Sequence, residues 1–305
     1  MVVSKNYLLI AFAALTMFGC KVGKGDKPLV GGVHKEGKLI TESEEADAWD
    51  EESKDQNEER SLFNMEENAE RSAEVNHHDR YLPATLSDRP EQLLQRKAYT
   101  TSYNRETRLP NWVAWTLTAE RTNGKHSRKG RNFQEDMDVS SPRATHYDYM
   151  RSQYDRGHMC PSGDNKWDAT AQNESFLLTN ICPQNHNLNT GDWNDIEIQC
   201  RRWAQRYGKI YIVCGPILYN QKHKTIGRNR VTVPEAFFKV VLRLGKRPQA
   251  IAFICRNESG SHPLREYVHS LKEAERITGI HFFERLNQNI RTQIEDKVDP
   301  HEWGI

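Results

Sequence analysis

Large apolar residues fall in short, dense runs over the last two thirds of this chain, and the runs have two different periods. Between Thr190-Gly191-Asp192 and Gly208, the residues Trp193, Ile196, Cys200, Trp203, Ala204 and Tyr207 recur three or four positions apart. That spacing lines one face of an α-helix; Thr190 and Asp192 supply starting chemistry and Gly208 a stop. Leu264 to Thr278 predicts a second helix, closed by Gly279, and Glu91–Gln95 a short one. Elsewhere the pattern is that of strands. Asn111–Leu117 and Ser175–Ile181 predict strands of a central sheet, followed by Lys209–Val213, Ala236–Leu244, Ala250–Cys255 and His281–Phe283. The polar stretch Gly130–Asp136 between the first two strands reads as a loop anchored by Phe133. Mixed strands with two or three helices and no internal repeat predict an α+β fold.

The first third has a different character. Lys5 precedes an apolar run from Tyr7 to Phe18 that ends at Gly19-Cys20, the form of an export signal and short for a bilayer-spanning helix. A small residue directly before cysteine resembles the lipobox of bacterial lipoproteins, so residues 1–20 are expected to be a lipoprotein-type signal with Cys20 lipidated. This predicts export from a bacterial cell to a membrane surface, with a periplasmic or secreted protein as the alternative. From Thr41 to Glu74 acidic residues crowd out aliphatic and aromatic ones. Too little apolar surface remains to offset the entropy of ordering, so residues 21–95 are expected to be a mostly disordered spacer and residues 96–305 the folded domain.

Charge follows the same division. Of 43 basic and 42 acidic residues, residues 1–95 hold 11 and 19, leaving 32 and 23 for the remainder. A basic domain behind an acidic leader suits a polyanion ligand, as does any solvated charged surface. Cys160, Cys182, Cys200, Cys214 and Cys255 are an odd set, so in an oxidising compartment at least one is expected to stay unpaired.

The candidate chemistry is concentrated in Asp155-Arg156-Gly157-His158-Met159. Imidazole is the side chain best placed to accept a proton near neutral pH, Arg156 can meet a phosphate, and Gly157 permits a close approach or a sharp turn. Asn180-Ile181-Cys182-Pro183-Gln184, Leu188-Asn189-Thr190-Gly191-Asp192-Trp193 and Glu197 follow in order.

This block resembles the DNA/RNA non-specific endonucleases, a branch of the ββα-metal or His-Me finger nucleases. Their signature is Asp-Arg-Gly-His, then Asn-x-x-Pro-Gln, then Leu-Asn-x-x-x-Trp-x-x-x-Glu, and every fixed position is filled here. The resemblance is densest from Tyr154 to Glu197, with weaker similarity from Tyr103 to Phe283. It implies a central, mostly antiparallel sheet flanked by helices and a ββα-metal motif. It also implies a phosphodiesterase cutting DNA and RNA to 5′-phosphate products. His158 would be the general base, Asn189 the direct protein ligand of one Mg2+, with Mn2+ able to substitute, Glu197 the holder of a metal-bound water, and Asn180 a positioning group. A magnesium ion that keeps several waters needs few protein oxygens, which agrees with a single amide ligand. Arg131, in Arg131-Asn132-Phe133-Gln134-Glu135-Asp136, matches the family's upstream phosphate-binding arginine, with Arg128 and Arg143 as nearby competitors. Related enzymes are often dimers, which extends the expectation to a homodimer.

Arg201, Arg202 and Arg206, with Lys222, Lys224, Arg228 and Arg230, could track a phosphate backbone, and Trp167 and Trp193 could stack on bases, although large aromatics more often fill cores. Two other readings remain open. One is a surface lipoprotein that binds nucleic acid without cutting it, which intact His158 and Asn189 disfavour. The other is a zinc site on His158, Cys160, Cys182 and His186, whose spacing matches no common finger. Met159 and Cys160 are instead expected to be packed or disulfide-bonded, bracing the histidine loop.

Overall fold

The computed structural model describes residues 81–305. The leader, Cys20 and the spacer up to residue 80 lie outside the described residues.

Strands β1 (Gln92–Gln95), β2 (Thr100–Asn104) and β3 (Leu109–Thr118) open the fold. A helical turn α1 (His146–Tyr149) leads to β4 (Asp155–His158), α2 (Ala169–Glu174) and β5 (Ile181–Gln184). Helices α3 (His186–Thr190) and α4 (Asp192–Tyr207) come next. After them come β6 (Lys209–Ile217), the short pair β7 (Thr225–Ile226) and β8 (Val231–Thr232), β9 (Ala236–Arg243) and β10 (Gln249–Arg256). The described chain closes with β11 (Val268–His269), α5 (Leu271–Thr278) and α6 (Gln288–Ile294).

Seven strands form one sheet in the order β1-β2-β3-β6-β9-β10-β11, and every neighbouring pair is antiparallel. Alternate side chains enter separate cores, as strand geometry requires. On β9, Phe237 and Val241 join the core beneath α4, while Phe238, Val240 and Leu242 join the core shared with Leu271 and Ala274 of α5. Both faces are therefore dry. Helix α4 buries Trp193, Ile196, Cys200, Trp203 and Ala204, and Gly208 ends it at φ 79°. Each large apolar side chain so buried contributes roughly 1.5–3 kcal/mol. Helix α5 carries a reciprocal cap between Ser270 and Glu273 and ends at Gly279 in the left-handed region.

Four local expectations fail. Gln92–Gln95 pairs with β2 as a strand, and the ordered fold reaches back into the stretch assigned to the spacer. The apolar run Ser175–Ile181 is a buried turn, with Leu178–Asn180 in a 3-10 helix and strand only from Ile181, because burial without a clear period does not separate strand from turn. Leu264–Thr278 is split into a 3-10 turn, β11 and α5 at Ser270, whose side chain caps α5. Phe282 and Phe283 are buried but lie in a turn, not a strand.

Candidate active site

Strands β4 and β5 form an antiparallel ladder of four pairs, from Asp155↔Gln184 to His158↔Ile181, and the chain runs from β5 directly into α3 and α4. This is the ββα arrangement implied by the motif. Period-two alternation puts Asp155 and Gly157 on one face of β4, Arg156 and His158 on the other. Gly157 makes room: a Cβ there would lie 2.1 Å from Gln184 Oε1 and 2.7 Å from Gln184 Cβ. Its smallness serves the ladder, not a sharp turn.

The His158 ring packs against Phe133 at 5.3 Å and edge-on to Phe176 at 5.1 Å, and its Nε2 is shielded with no hydrogen-bond partner. Burial, assisted by the positive Arg128, holds the pKa of His158 down to about 3. The imidazole is therefore neutral, with an unengaged nitrogen, as a base must be. Asn180 fastens the next turn of chain. Its Oδ1 accepts from Cys160 N at 2.9 Å, its Nδ2 donates to the carbonyls of Cys160 and Ser175, and its own carbonyl accepts from Met159 N. Cys160 is packed and free.

Asn189 lies in α3, one short helix earlier than the long helix the sequence pattern suggested, with Gly191 breaking the two apart. Its Nδ2 donates to Asp155 Oδ2 at 2.9 Å, and the same oxygen is 2.9 Å from His186 Nδ1. A carboxylate offers acceptors alone, so this contact fixes the amide with its nitrogen inward and leaves Oδ1 free as a hard oxygen donor. Glu197, on α4, makes no hydrogen bond or ion pair among the described residues. Burial pushes its pKa up to about 7, against the opposing pull of Lys239. An amide oxygen and an unengaged carboxyl suit a magnesium ion that retains much of its water. Among the described residues, no three His, Cys, Asp or Glu side chains gather to ligate one metal, and His186 is exposed and engaged with Asp155. The zinc reading has no geometric support there.

The arginines divide. Arg156 lies 5.4 Å from the Phe133 ring and 5.6 Å from the Tyr149 ring, contacts His146 Nδ1 at 3.1 Å, keeps its Nε unpartnered, and pairs with no carboxylate among the described residues. It is a free cation on the His158 face. The Arg131 guanidinium donates to the Ser127 carbonyl at 3.0 Å, whereas Arg128 lies 6.0 Å over Phe176 and its charge acts on both His158 and Glu197. Of the two upstream candidates, Arg128 is the one coupled to the site. Arg143 is held by Glu135 and Val139. Arg201 turns inward, 2.9 Å from the buried Asp164, and Trp193 is core. Arg201 is thus not presented to a ligand as expected, whereas Trp193 follows the commoner reading of a large aromatic as core. Trp167 is capped by Arg121 at 4.5 Å.

Residues 78–289 match the DNA/RNA non-specific endonuclease family. This chain belongs to that family. Within it, the chain is 34% identical over 207 residues to a mitochondrial nuclease EXOG of Xenopus laevis, covering 63% of this chain and 58% of that protein. It is 31% identical to human mitochondrial endonuclease G, covering 63% and 69%, and 31% identical to a Nostoc nuclease, covering 68% and 78%. The chain thus spans less than two thirds of the Xenopus protein. A solved endonuclease G complexed with EndoGI, described in terms of its inhibition, superposes with a TM-score of 0.64 at 29% identity, covering 68% of this chain and 91% of that one. The family signature does not assign the Asp155 contact, the Arg128 placement or the buried Lys239, whose charge acts on Glu197. Asp155 could have been flagged by alternation, since it stands on the β4 face opposite His158.

Proposed function

We propose that this protein is a metal-dependent, sugar-non-specific endonuclease that hydrolyses phosphodiester bonds in DNA and RNA and leaves 5′ phosphates. The observation that carries the reading is the His158 Nε2 left without a partner, on the same strand face as Arg156, which has no carboxylate partner among the described residues, and on the same ββα unit as Asn189. Arg156 and Arg128 bind the scissile phosphate, Arg131 a flanking one. His158 removes a proton from the attacking water at its unengaged nitrogen. Asn180 keeps the His158 turn in register, and Phe133 and Phe176 hold the ring and exclude bulk water. Asn189 Oδ1 would hold Mg2+, with Mn2+ as a substitute, and Glu197 would orient its water. Bound there, the ion supplies positive charge to the phosphate oxygens and the leaving 3′ oxygen. Asp155 acts through Asn189, fixing which amide atom faces the ion.

The apolar run Tyr7–Phe18 and Gly19-Cys20 support export with a lipid anchor at Cys20, and the acidic stretch after it supports a tether. Plasmid DNA and RNA incubated with the full chain, with Mg2+ or with a chelator, test the activity. Degradation of both polymers with metal and of neither with chelator is expected. Salt-sensitive binding without cleavage would favour a protein that captures nucleic acid.

A further inference from the structure

Lys239 is fully buried in the middle of β9, and its Nζ has no hydrogen-bond partner. An isolated buried ammonium is costly unless charge and π systems surround it. Here they do. Nζ lies 4.4 Å from the centre of the Trp193 ring and 5.3 Å from that of Trp115. Trp193 is one helical turn before Glu197 on the same face of α4. Its Nε1 donates, at 3.4 Å, to the main-chain carbonyl of His158. Trp115 donates at 3.2 Å to Asp164, which in turn pairs with Arg201. The alternation of β9 makes the placement unavoidable, because Lys239 shares a face with Phe237 and Val241 and that face is covered by α4.

We infer that Lys239 is a positioning residue of this site, seated against Trp193 one helical turn before Glu197 as its buried counter-charge, and that through Trp193 it anchors the strand carrying His158. The charges around it are consistent. Burial works against the ammonium, yet its pKa is raised, with the carboxyls of Glu197 and Asp164 among the groups that favour the charge. Lys239 is the largest influence keeping Glu197 ionised against its burial. The inference rests on the nuclease reading above, because Glu197 is given work to do only there.

The test is a double-mutant cycle on the full chain with Mg2+ and plasmid DNA, comparing Lys239→Met, Glu197→Gln, both together, and the conservative Lys239→Arg. Lys239→Met replaces a desolvated charge by an apolar chain of similar length, so a folded protein is expected. It should lose at least about tenfold in kcat with KM nearly unchanged, the size of one pKa unit of lost electrostatic support. Lys239→Arg should recover most of that loss, and adding Lys239→Met to Glu197→Gln should cost clearly less than it costs the wild type. A Lys239→Met enzyme as fast as wild type, or losses that multiply in the double variant, would overturn the inference. If Lys239→Met alone does not fold, the charge-balanced double variant decides: recovery of folding supports the counter-charge role, and failure while Glu197→Gln folds reduces Lys239 to a core filler. A wild-type chain that cuts nothing defeats the nuclease reading and this inference with it, whereas an active wild type with an equally active Lys239→Met defeats the inference alone.

Discussion

The seven-stranded sheet and the β4–β5 ladder are both antiparallel, yet they are built for different ends. Strands β3, β6, β9 and β10 run for eight to ten residues and bury side chains on two faces. The ladder has four residues per strand, and within them Arg156 Nε, His158 Nε2 and both amide atoms of Gln184 are buried without partners. The sheet, with several times as many residues, leaves four such atoms: Thr101 Oγ1, Tyr103 OH, Trp112 Nε1 and Lys239 Nζ. Unsatisfied polar groups cost stability. The molecule concentrates that cost in the element with the chemistry and supports it with the element that has none. Lys239 is the exception that joins the two, since its unpartnered nitrogen lies under the ladder's own helix.

The contrast is most sharply tested by pairing one substitution in each region. His158→Ala should cut kcat by about 10²- to 10⁴-fold, the usual worth of a general base, with little change in Tm. Phe253→Ala, in the sheet core and stacked 6.2 Å from Trp203, should cost about 3–5 kcal/mol of stability. That is about 2–4 °C of Tm per kcal/mol, with specific activity per folded molecule retained. Plasmid cleavage and thermal melts on both proteins decide, and equal effects on both readouts would dissolve the distinction.

A smaller effect is expected one step back from the ladder. Asp155→Ala frees the Asn189 amide to rotate, so half-maximal activity should need about 10- to 100-fold more Mg2+, while Tm stays close to wild type. Magnesium titrations of the two proteins measure this. Unchanged titrations would remove Asp155 from the site.

The mildest separation is by pH. The folded Glu197 carboxyl holds its proton up to about 7 against an ordinary 4.5, so it adds stability below pH 4.5 that is lost as pH rises through 7. His158 has the opposite sense. Its neutral ring adds stability above pH 6.5 that is lost as pH falls toward 3. In the proposed mechanism the Glu197 carboxylate does the work, so kcat should rise with pH with a midpoint at or below 7, and bound metal should pull that midpoint lower. Glu197→Gln should flatten this limb. An unchanged limb in that variant would transfer the titration to another group.

Much of this was legible in the chain. Helix α4 announced itself because Trp193, Ile196, Cys200 and Trp203 keep helical period and Gly208 ends it. His158, Asn180, Asn189 and Glu197 were legible as an ordered motif, because a ββα unit fixes sequence separations as firmly as distances. Lys239 was not: in Ala-Phe-Phe-Lys-Val-Val-Leu a lysine reads as the solvent-facing position of a strand, and nothing local says that α4 covers that face. The motif singled out Arg131 with Arg128 as a competitor, and their different placements were not legible for a related reason. Their loop has no period, and its position is fixed by distant main-chain bonds between Gln134 and the carbonyl of Phe176 and between Leu178 and the carbonyl of Gln134.

Cys160, Cys182, Cys200, Cys214 and Cys255 are each buried and unpaired, and burial pushes every one of these thiols up, away from the reactive thiolate. The folded domain therefore holds together by packing, with no covalent cross-link among the described residues. It should melt at the same temperature with or without dithiothreitol, and a Tm that falls on reduction would show that two of these thiols pair.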